Sequence, residues 1–597
     1  MDRRQFLQRG AFFTVVAATS GGLAACGGSS SSGSGDDRPP LGTYAFPQGI
    51  ASGDPRPDSV VFWTRCAPAD GSTGDVTLRL QVASDADFTQ LLADTSLQAI
   101  ADHDHTTRAK VTGLPSGVTV YYRFIAGRDV TATGTARTAP AAGTHPASLR
   151  FAWFTCQDWS VNHWGALSLM AQEADLDFIV HLGDYIYETV GAAFQAGQAE
   201  PAHPALELPD GTPLGTAVYA TTLEDYRYLY RTYRGDARLQ ALHARWALIA
   251  TWDDHEFSDD CWQDHQTYTN ANVQQTARRR AANQAWVEYL PVDFGDVAFD
   301  SADQAYDNLR IYRDFRFGEL LHLVMTDERL YRDDHVVDEA SIALAQGHDP
   351  VNGNDSVGAR YFVQQPVLQQ FEALRTQALG RAPSILGATQ AQWWKDTFAS
   401  ATATWKVWGN EVMLNHLQAD LTLIAEPPYN AQYVVNADAW DGYPTHKAEL
   451  LGFLRDAGVA NVVAITGDLH AFQCGVVRDV PVTGNPVLVD FVCAGISSSS
   501  FYSYLSAGAA GTPLSALLAT PDTFNAFALS QNPDLAYADH DAQGYAVADV
   551  SAEAMVVTYS KMLPLNPDGT VPAAPLAKRT RITLAAGSTT PVVEDGV

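Results

Sequence analysis

Short runs in which apolar and polar residues alternate fill the first part of the chain, and longer uninterrupted apolar runs separated by helical spacing fill the rest. The change falls near residue 145. From about Gly49 to Arg137 the alternating runs include Ser59 to Thr64, Val76 to Val82 and Val118 to Phe124, with turn residues between them. A period of two puts every second side chain on one buried face. It predicts a small antiparallel β-sandwich of the immunoglobulin or fibronectin kind over 43–145. The Ala- and Pro-rich stretch Thr138 to Thr144 reads as a linker at its end.

Beyond the linker, Arg150 to Thr155, Phe178 to Leu182, Trp246 to Thr251 and Val462 to Thr466 are apolar runs of strand length. Helical spacing appears between them, at Asp225 to Tyr233 and Gln275 to Leu290. Strands alternating with helices predict an α/β or α+β catalytic domain over 146–560. The two helices read as covers packed on a sheet, although the Tyr and Arg residues of the first have the chemistry to touch a phosphate ester. Arg579 to Leu584 predicts one late strand within a C-terminal extension, 561–597.

Charge and the chain's first residues narrow the function classes. A formal net charge of -30 over 597 residues lacks the basic footprint a nucleic-acid partner needs. It also means that any phosphate chemistry must rely on local cations. Arg3-Arg4-Gln5-Phe6-Leu7 is a twin-arginine pattern, and the apolar stretch Ala11 to Ala25 is short for a membrane span. Together they predict a signal over 1–26 read by the twin-arginine export machinery, with delivery to the periplasm, cell surface or medium. Leu23-Ala24-Ala25-Cys26 resembles a lipobox, which makes Cys26 a candidate lipid anchor; simple cleavage is the alternative. The Gly/Ser-rich run that follows, within 27–42, suits a tether. Five cysteines remain, an odd number with no CxxC spacing, so no disulfide framework is implied.

The candidate chemistry lies where apolar runs end. Gly183-Asp184-Tyr185-Ile186-Tyr187-Glu188 follows the second run. The glycine permits a sharp turn, Asp184 can bridge two cations, and Tyr187 offers a phenolate suited to a hard trivalent ion. Trp252-Asp253-Asp254-His255-Glu256 follows the third. Adjacent carboxylates repel unless a cation lies between them, and His255 is placed to donate a proton to a leaving oxygen. Asp253, His255 and Asn410 are the candidate catalytic residues, Asn410 supplying a neutral oxygen to a metal or to phosphate. Gly467-Asp468-Leu469-His470 adds two ligands after the fourth run, and Cys156 is delivered by the first.

Cys156-Gln157 and these three motifs, in this order, resemble the motif set of PhoD-type alkaline phosphatases and phosphodiesterases. Gly49 to Pro55 and the strands after it resemble that family's N-terminal sandwich, and Asp327-Glu328-Arg329-Leu330-Tyr331-Arg332 resembles its acidic-Arg-Tyr-Arg segment. The resemblance implies a four-layer calcineurin-like metallophosphoesterase β-sandwich flanked by helices. It also implies Fe3+ held by Cys156, Asp184, Tyr187 and His470, and Ca2+ on Asp254 and Asp468, with Asp184 bridging. Asp468 stands where relatives place histidine, so the second site is rich in oxygen, as calcium prefers. A metal-held hydroxide attacking phosphorus, with His255 assisting the alcohol, is the expected mechanism. The alternatives are a phospholipase-D-like phosphodiesterase and a non-catalytic exported binding protein. Glu200 to Thr221 and Tyr502 to Asp541 match no family motif and are candidates to form loops over the site.

Overall fold

The strands that carry the candidate chemistry are buried on both faces, which is why they read as continuous apolar runs. A computed structural model describes residues 12–17, 43–192, 195, 197–268, 272–348 and 361–597. Arg3, Arg4 and Cys26 lie outside the described residues, and with them the twin-arginine and lipobox readings. Two large sheets face each other. In the first, Leu149–Phe154, Phe178–Leu182 and Leu248–Thr251 run parallel as neighbours. In the second, Leu321–Met325, Trp405–Asn410, Val462–Thr466 and Pro486–Val492 do the same.

Alternate residues of each strand serve different layers. Phe151, Trp153, Phe178 and Val180 meet Leu323, Val407, Val463 and Ile465 in the core between the sheets. Ala152, Phe154 and Ile179 point outward onto Leu229, Tyr230 and Trp286 of the helices Leu223–Tyr233 and Thr276–Tyr289. Val324, Trp408 and Ala464 do the same for the second sheet, under Trp394 and Leu450 of the helices Gly387–Ala399 and Pro444–Asp456. The result is a helix–sheet–sheet–helix stack. In the first helix Thr222 and Asp225 form a capping box, and Arg227 and Arg231 pair with Glu288 and Asp104. Its basic residues are therefore occupied far from the strand ends.

The N-terminal module differs from a free-standing sandwich. One sheet, built from Val76–Ala83, Leu91–Ala99, Thr119–Ala126 and shorter strands, packs on Phe62, Ala109 and Val111 as expected of a β-sandwich. The opposing strands Ile50–Gly53, Ser59–Arg65 and Thr106–Thr112, however, continue into the first catalytic sheet, Gly53 pairing with Leu248. The junction depends on a missing side chain, since a Cβ on Gly53 would lie 2.3 Å from the Pro291 carbonyl oxygen and 2.7 Å from that of Leu248. Phe12–Val16, inside the apolar stretch of the expected signal, lies parallel to Thr106–Thr112 at the outer edge.

The C-terminal residues are likewise part of the sheet and not an appendage to it. Gly544–Val550 pairs with Leu149–Phe154, and Ala554–Met562, Leu576–Ala585 and Val592–Asp595 follow in order. No helix among the described residues is long and apolar enough to cross a membrane.

Candidate metal centre

Ligands in open parallel sheets bind beyond the carboxyl ends of the strands, and here those ends from both sheets meet. The turns that leave them are strained in a consistent way. Cys156 (φ 52°), Asp184 (φ 56°), Asp468 (φ 59°) and His470 (φ 57°) all adopt the left-handed conformation, which non-glycine residues avoid at a cost of about 1 kcal/mol or more each. Gly183 (φ 102°) allows two of the turns to touch, because a Cβ there would sit 2.4 Å from the Asp253 Cβ. The Glu256 carboxylate ties the same turns together. It accepts from the backbone N–H groups of Asp184 (3.0 Å), Asp253 (2.7 Å) and Tyr185 (2.5 Å).

Two donor groups result. Cys156, Asp184 and His470 each present a ligand atom within 4.8 Å of the others. Tyr187 belongs with them, its Oη lying 3.2 Å from His470 Nε2. The His470 Nδ1 donates to the Ser499 carbonyl at 2.8 Å, which leaves Nε2 with its lone pair toward the cluster. Ser498 Oγ donates to the Cys156 carbonyl at 2.7 Å and therefore accepts from the Tyr187 hydroxyl at 2.6 Å. Burial, then the Asp184 charge, pushes the Cys156 thiol and the Tyr187 phenol well above their usual ranges. Burial lowers His470 to about 4, keeping its imidazole neutral. This side of the centre carries little charge of its own beyond Asp184.

The second group is Asp253, Asp254 and Asp468, again with ligand atoms within 4.8 Å of one another. Arg329, fully buried, donates to Asp253 Oδ1 (2.5 Å), to Asp468 Oδ1 (3.3 Å) and to Asp438 Oδ2 (3.0 Å), and lies 3.7 Å from Asp254 Oδ1. Asp253 Oδ2 and Asp254 Oδ1 are buried without a hydrogen-bond donor. Burial raises the Asp253 carboxyl to about 7, against the pull of Arg329 and with a further push from Asp254. Burial and the neighbouring carboxylates also push Asp184 and Asp468 well above the carboxylate range. Orphaned carboxylate oxygens in a strained, acid-rich cluster are what a cation site looks like when only protein atoms are counted.

A cavity of about 440 Å3 opens over both groups, with Asp184, Asp254, His255, Asp468 and His470 in its wall. Glu188 holds the His255 Nδ1 at 2.7 Å. Burial disfavours an imidazolium, yet Asp254, Glu188 and Asp184 outweigh it and push His255 well above its usual range. The same contact holds the Glu188 carboxyl down at about 2 despite burial.

Residues 151–559 match the family model described as PhoD-like phosphatase, and residues 30–140 match the model described as its N-terminal domain. The chain belongs to the PhoD-like phosphatase family. Alkaline phosphatase D of Bacillus subtilis (strain 168) is 29% identical over 440 residues, 72% of this chain and 66% of that protein. The match thus spans just under two thirds of that relative's length. A solved structure described as that of PhoD shares 25% of its sequence, covers 94% of this chain and 93% of its own, and superposes with a TM-score of 0.72.

Within this PhoD-like frame, the predicted ligands Cys156, Asp184, Tyr187, Asp254, Asp468 and His470 lie together, and His255 faces the cavity. Asp253 sits behind Asp254 on Arg329 and does not line the cavity. Asn410 is a correction. Its Oδ1 accepts from Trp440 Nε1 at 2.8 Å, and its Nδ2 donates to Thr466 Oγ1 at 2.9 Å and to the Val412 carbonyl. That amide ties the ends of the second sheet to each other and presents nothing to the cavity. Four residues of the site carried no assigned role in the sequence reading. Arg329, Glu188 and Glu256 stand inside quoted motifs, which was the available signal. Asp438, which also accepts from Arg332 and pairs with His335 at 2.5 Å, stands outside those motifs, its one signal being the short apolar run Tyr433 to Val435 before it. The five cysteines among the described residues are free and buried.

Proposed function

We propose that this chain is an exported, metal-dependent alkaline phosphatase that hydrolyses phosphate monoesters, diesters or both. The observation that carries the proposal is the meeting of strand-end turns, three of them strained, which sets a Cys–Asp–Tyr–His group beside an all-carboxylate group under one cavity. The donor types fit two different ions. Thiol, phenol, imidazole and carboxylate suit Fe3+ at Cys156, Asp184, Tyr187 and His470. The oxygen-only side, with its orphaned Asp253 and Asp254 oxygens, suits Ca2+ at Asp254 and Asp468. When bound, such cations supply Lewis-acid polarisation of a phosphoryl oxygen and a water ionised near neutral pH.

The protein's own groups do the rest. Asp184 belongs to the first donor group and also presents a carboxylate oxygen within 4.8 Å of ligand atoms of Asp254 and His255, so it adjoins the second, and Glu256 fixes its turn through three backbone N–H groups. With Nδ1 committed to Glu188 and Nε2 3.6 Å from Asp259, His255 lines the cavity as the proton donor to the departing alkoxide oxygen. Asp253 keeps Arg329 in place behind the carboxylates and so acts as a positioning residue. The sequence charge of -30 supports a small phosphate ester over a nucleic acid. Export by the twin-arginine machinery and a lipid anchor at Cys26 rest on the N-terminal sequence pattern alone.

Elemental analysis of the purified protein beside assays on 4-nitrophenyl phosphate and bis(4-nitrophenyl) phosphate tests this reading. Iron and calcium with chelator-sensitive turnover are expected. Turnover that survives both chelation and Asp184→Ala would overturn it, and metal content without turnover on either ester would favour the binding-protein alternative. Fractionation of cells expressing the full chain and its Cys26→Ala variant tests the anchor, which predicts release of the variant from membranes.

A further inference from the structure

Part of the cavity wall is apolar, and three separate chain segments build it. The hairpin Thr212–Leu214 and Ala217–Tyr219 contributes Leu214 and Ala217, the strand Tyr361–Gln364 contributes Tyr361, and the helix Phe501–Gly508 contributes Phe501 and Tyr504. Two of these segments fall in or beside the stretches, Glu200 to Thr221 and Tyr502 to Asp541, that match no family motif. The Tyr361 ring centroid lies 5.7 Å from that of Phe501 and 5.5 Å from that of Tyr504, both tilted, so the three rings form one ledge.

The ledge is fixed in register with the candidate metal centre. Phe501 N–H donates to the His470 carbonyl at 3.1 Å, and His470 Nδ1 donates to the Ser499 carbonyl at 2.8 Å. Ser500 caps the helix by accepting from Ser503 N–H, and its hydroxyl donates to Asp541 at 2.6 Å. An aromatic surface tied to a ligand by its own backbone is suited to a group that is covalently attached to the reacting phosphorus. The described wall contains no lysine or arginine, while Asp259 and Asp260 contribute carboxyl groups to it. A second phosphate on the substrate would find no cationic side chain among the described residues of that wall, and a polyhydroxylated group would lose hydration against Leu214 and the rings.

Building on the phosphoesterase reading above, we infer that the Leu214–Tyr361–Phe501–Tyr504 wall selects phosphate esters whose organic group is apolar, aryl or alkyl, over esters of sugars, glycerol or further phosphates. Tyr504 and Leu214 are the specificity-determining residues of this surface, being less buried than Phe501. They read the organic group and leave the reacting phosphorus to the metal side.

Diesters that share a 4-nitrophenolate leaving group and differ only in the second arm isolate this effect from leaving-group chemistry. Phenyl, hexyl, methyl and glyceryl arms would be compared on the metal-loaded full chain. The phenyl and hexyl esters should exceed the glyceryl ester in kcat/KM by about tenfold or more, the range expected when an apolar pocket gains or loses a few carbons. Leu214→Ser and Tyr504→Asn should shrink that ratio mainly through KM, and Tyr504→Leu should restore it. Equal rates on all four arms, or a ratio unmoved by both polar variants, would overturn the inference while leaving the phosphoesterase reading intact. A metal-loaded protein that turns over none of the esters would instead remove the reading on which the inference rests. Elution volume and thermal melting of each variant separate a lost surface from a lost fold.

Discussion

Cys156, Tyr187 and His470 lie on one side of Asp184, and Asp253, Asp254 and Asp468 lie on the other; the two sides handle burial in different ways. On the first side the donors are neutral when no cation is present, because burial keeps protons on the thiol and phenol and off the imidazole. On the second, three carboxylates crowd together and Arg329 stands among them as a fixed counter-ion. The first side therefore acquires charge only by exchanging protons for metal. On the second side burial and mutual repulsion push the Asp253 and Asp468 carboxyls up, and the arginine pulls against that rise.

The largest effect on this division comes from removing what the two sides share. Asp184→Ala should lower kcat/KM on a phosphate ester by about 10³-fold, with loss of both metals by elemental analysis, whereas a change confined to one side should spare the other ion. Arg329→Met tests the second side alone. It leaves Asp253 buried without its partner, while Asp438 keeps Arg332 and His335, so chemical denaturation should show a loss of about 3–5 kcal/mol. Added calcium should recover part of that loss, since a cation can replace the arginine as the counter-charge.

On the first side, Tyr187→Phe should abolish any visible phenolate-to-iron absorption and weaken iron binding about tenfold or more. The raised thiol and phenol set the sign of the pH dependence. Both protons must leave on loading, so apparent iron affinity should rise with pH, as competition titrations at pH 6 and pH 8 would read. The smallest effect calibrates the others on a paired carboxylate outside the centre. Burial raises Asp441, but His416 and Lys447 outweigh it and hold its carboxyl well below the ordinary value. Its stabilising contribution is present above the unfolded value near 4 and is lost as pH falls through the lower folded value. Asp441→Asn should therefore flatten the acid limb of the stability curve below about pH 4.

Much of the centre was legible because its ligands follow strands buried on both faces. Phe178 to Leu182 and Val462 to Thr466 are continuous apolar runs with these bounds in the structure, and a glycine then a carboxylate marks each turn. What escaped the sequence depends on how distant segments are juxtaposed. Arg329 becomes a counter-ion only because its strand end meets three others. Asp438 joins it from just beyond the short strand Gln432–Asn436, whose apolar part is only Tyr433 to Val435. Asn410 has the position of a ligand, at the end of a buried strand, but Trp440 and Thr466 claim its amide first. The continuation of the N-terminal module into the catalytic sheet was hidden for a similar reason. Alternation along Ser59 to Thr64 shows that one face is buried, not which sheet the strand extends.

The sheet that carries Cys156 and Asp184 is closed by strands from the far end of the chain, with Arg150 paired to Asp549 across 399 positions. A ribosome must therefore deliver almost the entire polypeptide before Leu149–Phe154 gains its second neighbour. Until then a long apolar strand waits with an open edge, which is slow to pair and prone to stick to other chains. Nascent molecules that stop short of Gly544 lose the support under the Cys156 turn along with the edge protection, so incomplete synthesis yields a substrate for proteases and not a weakened enzyme.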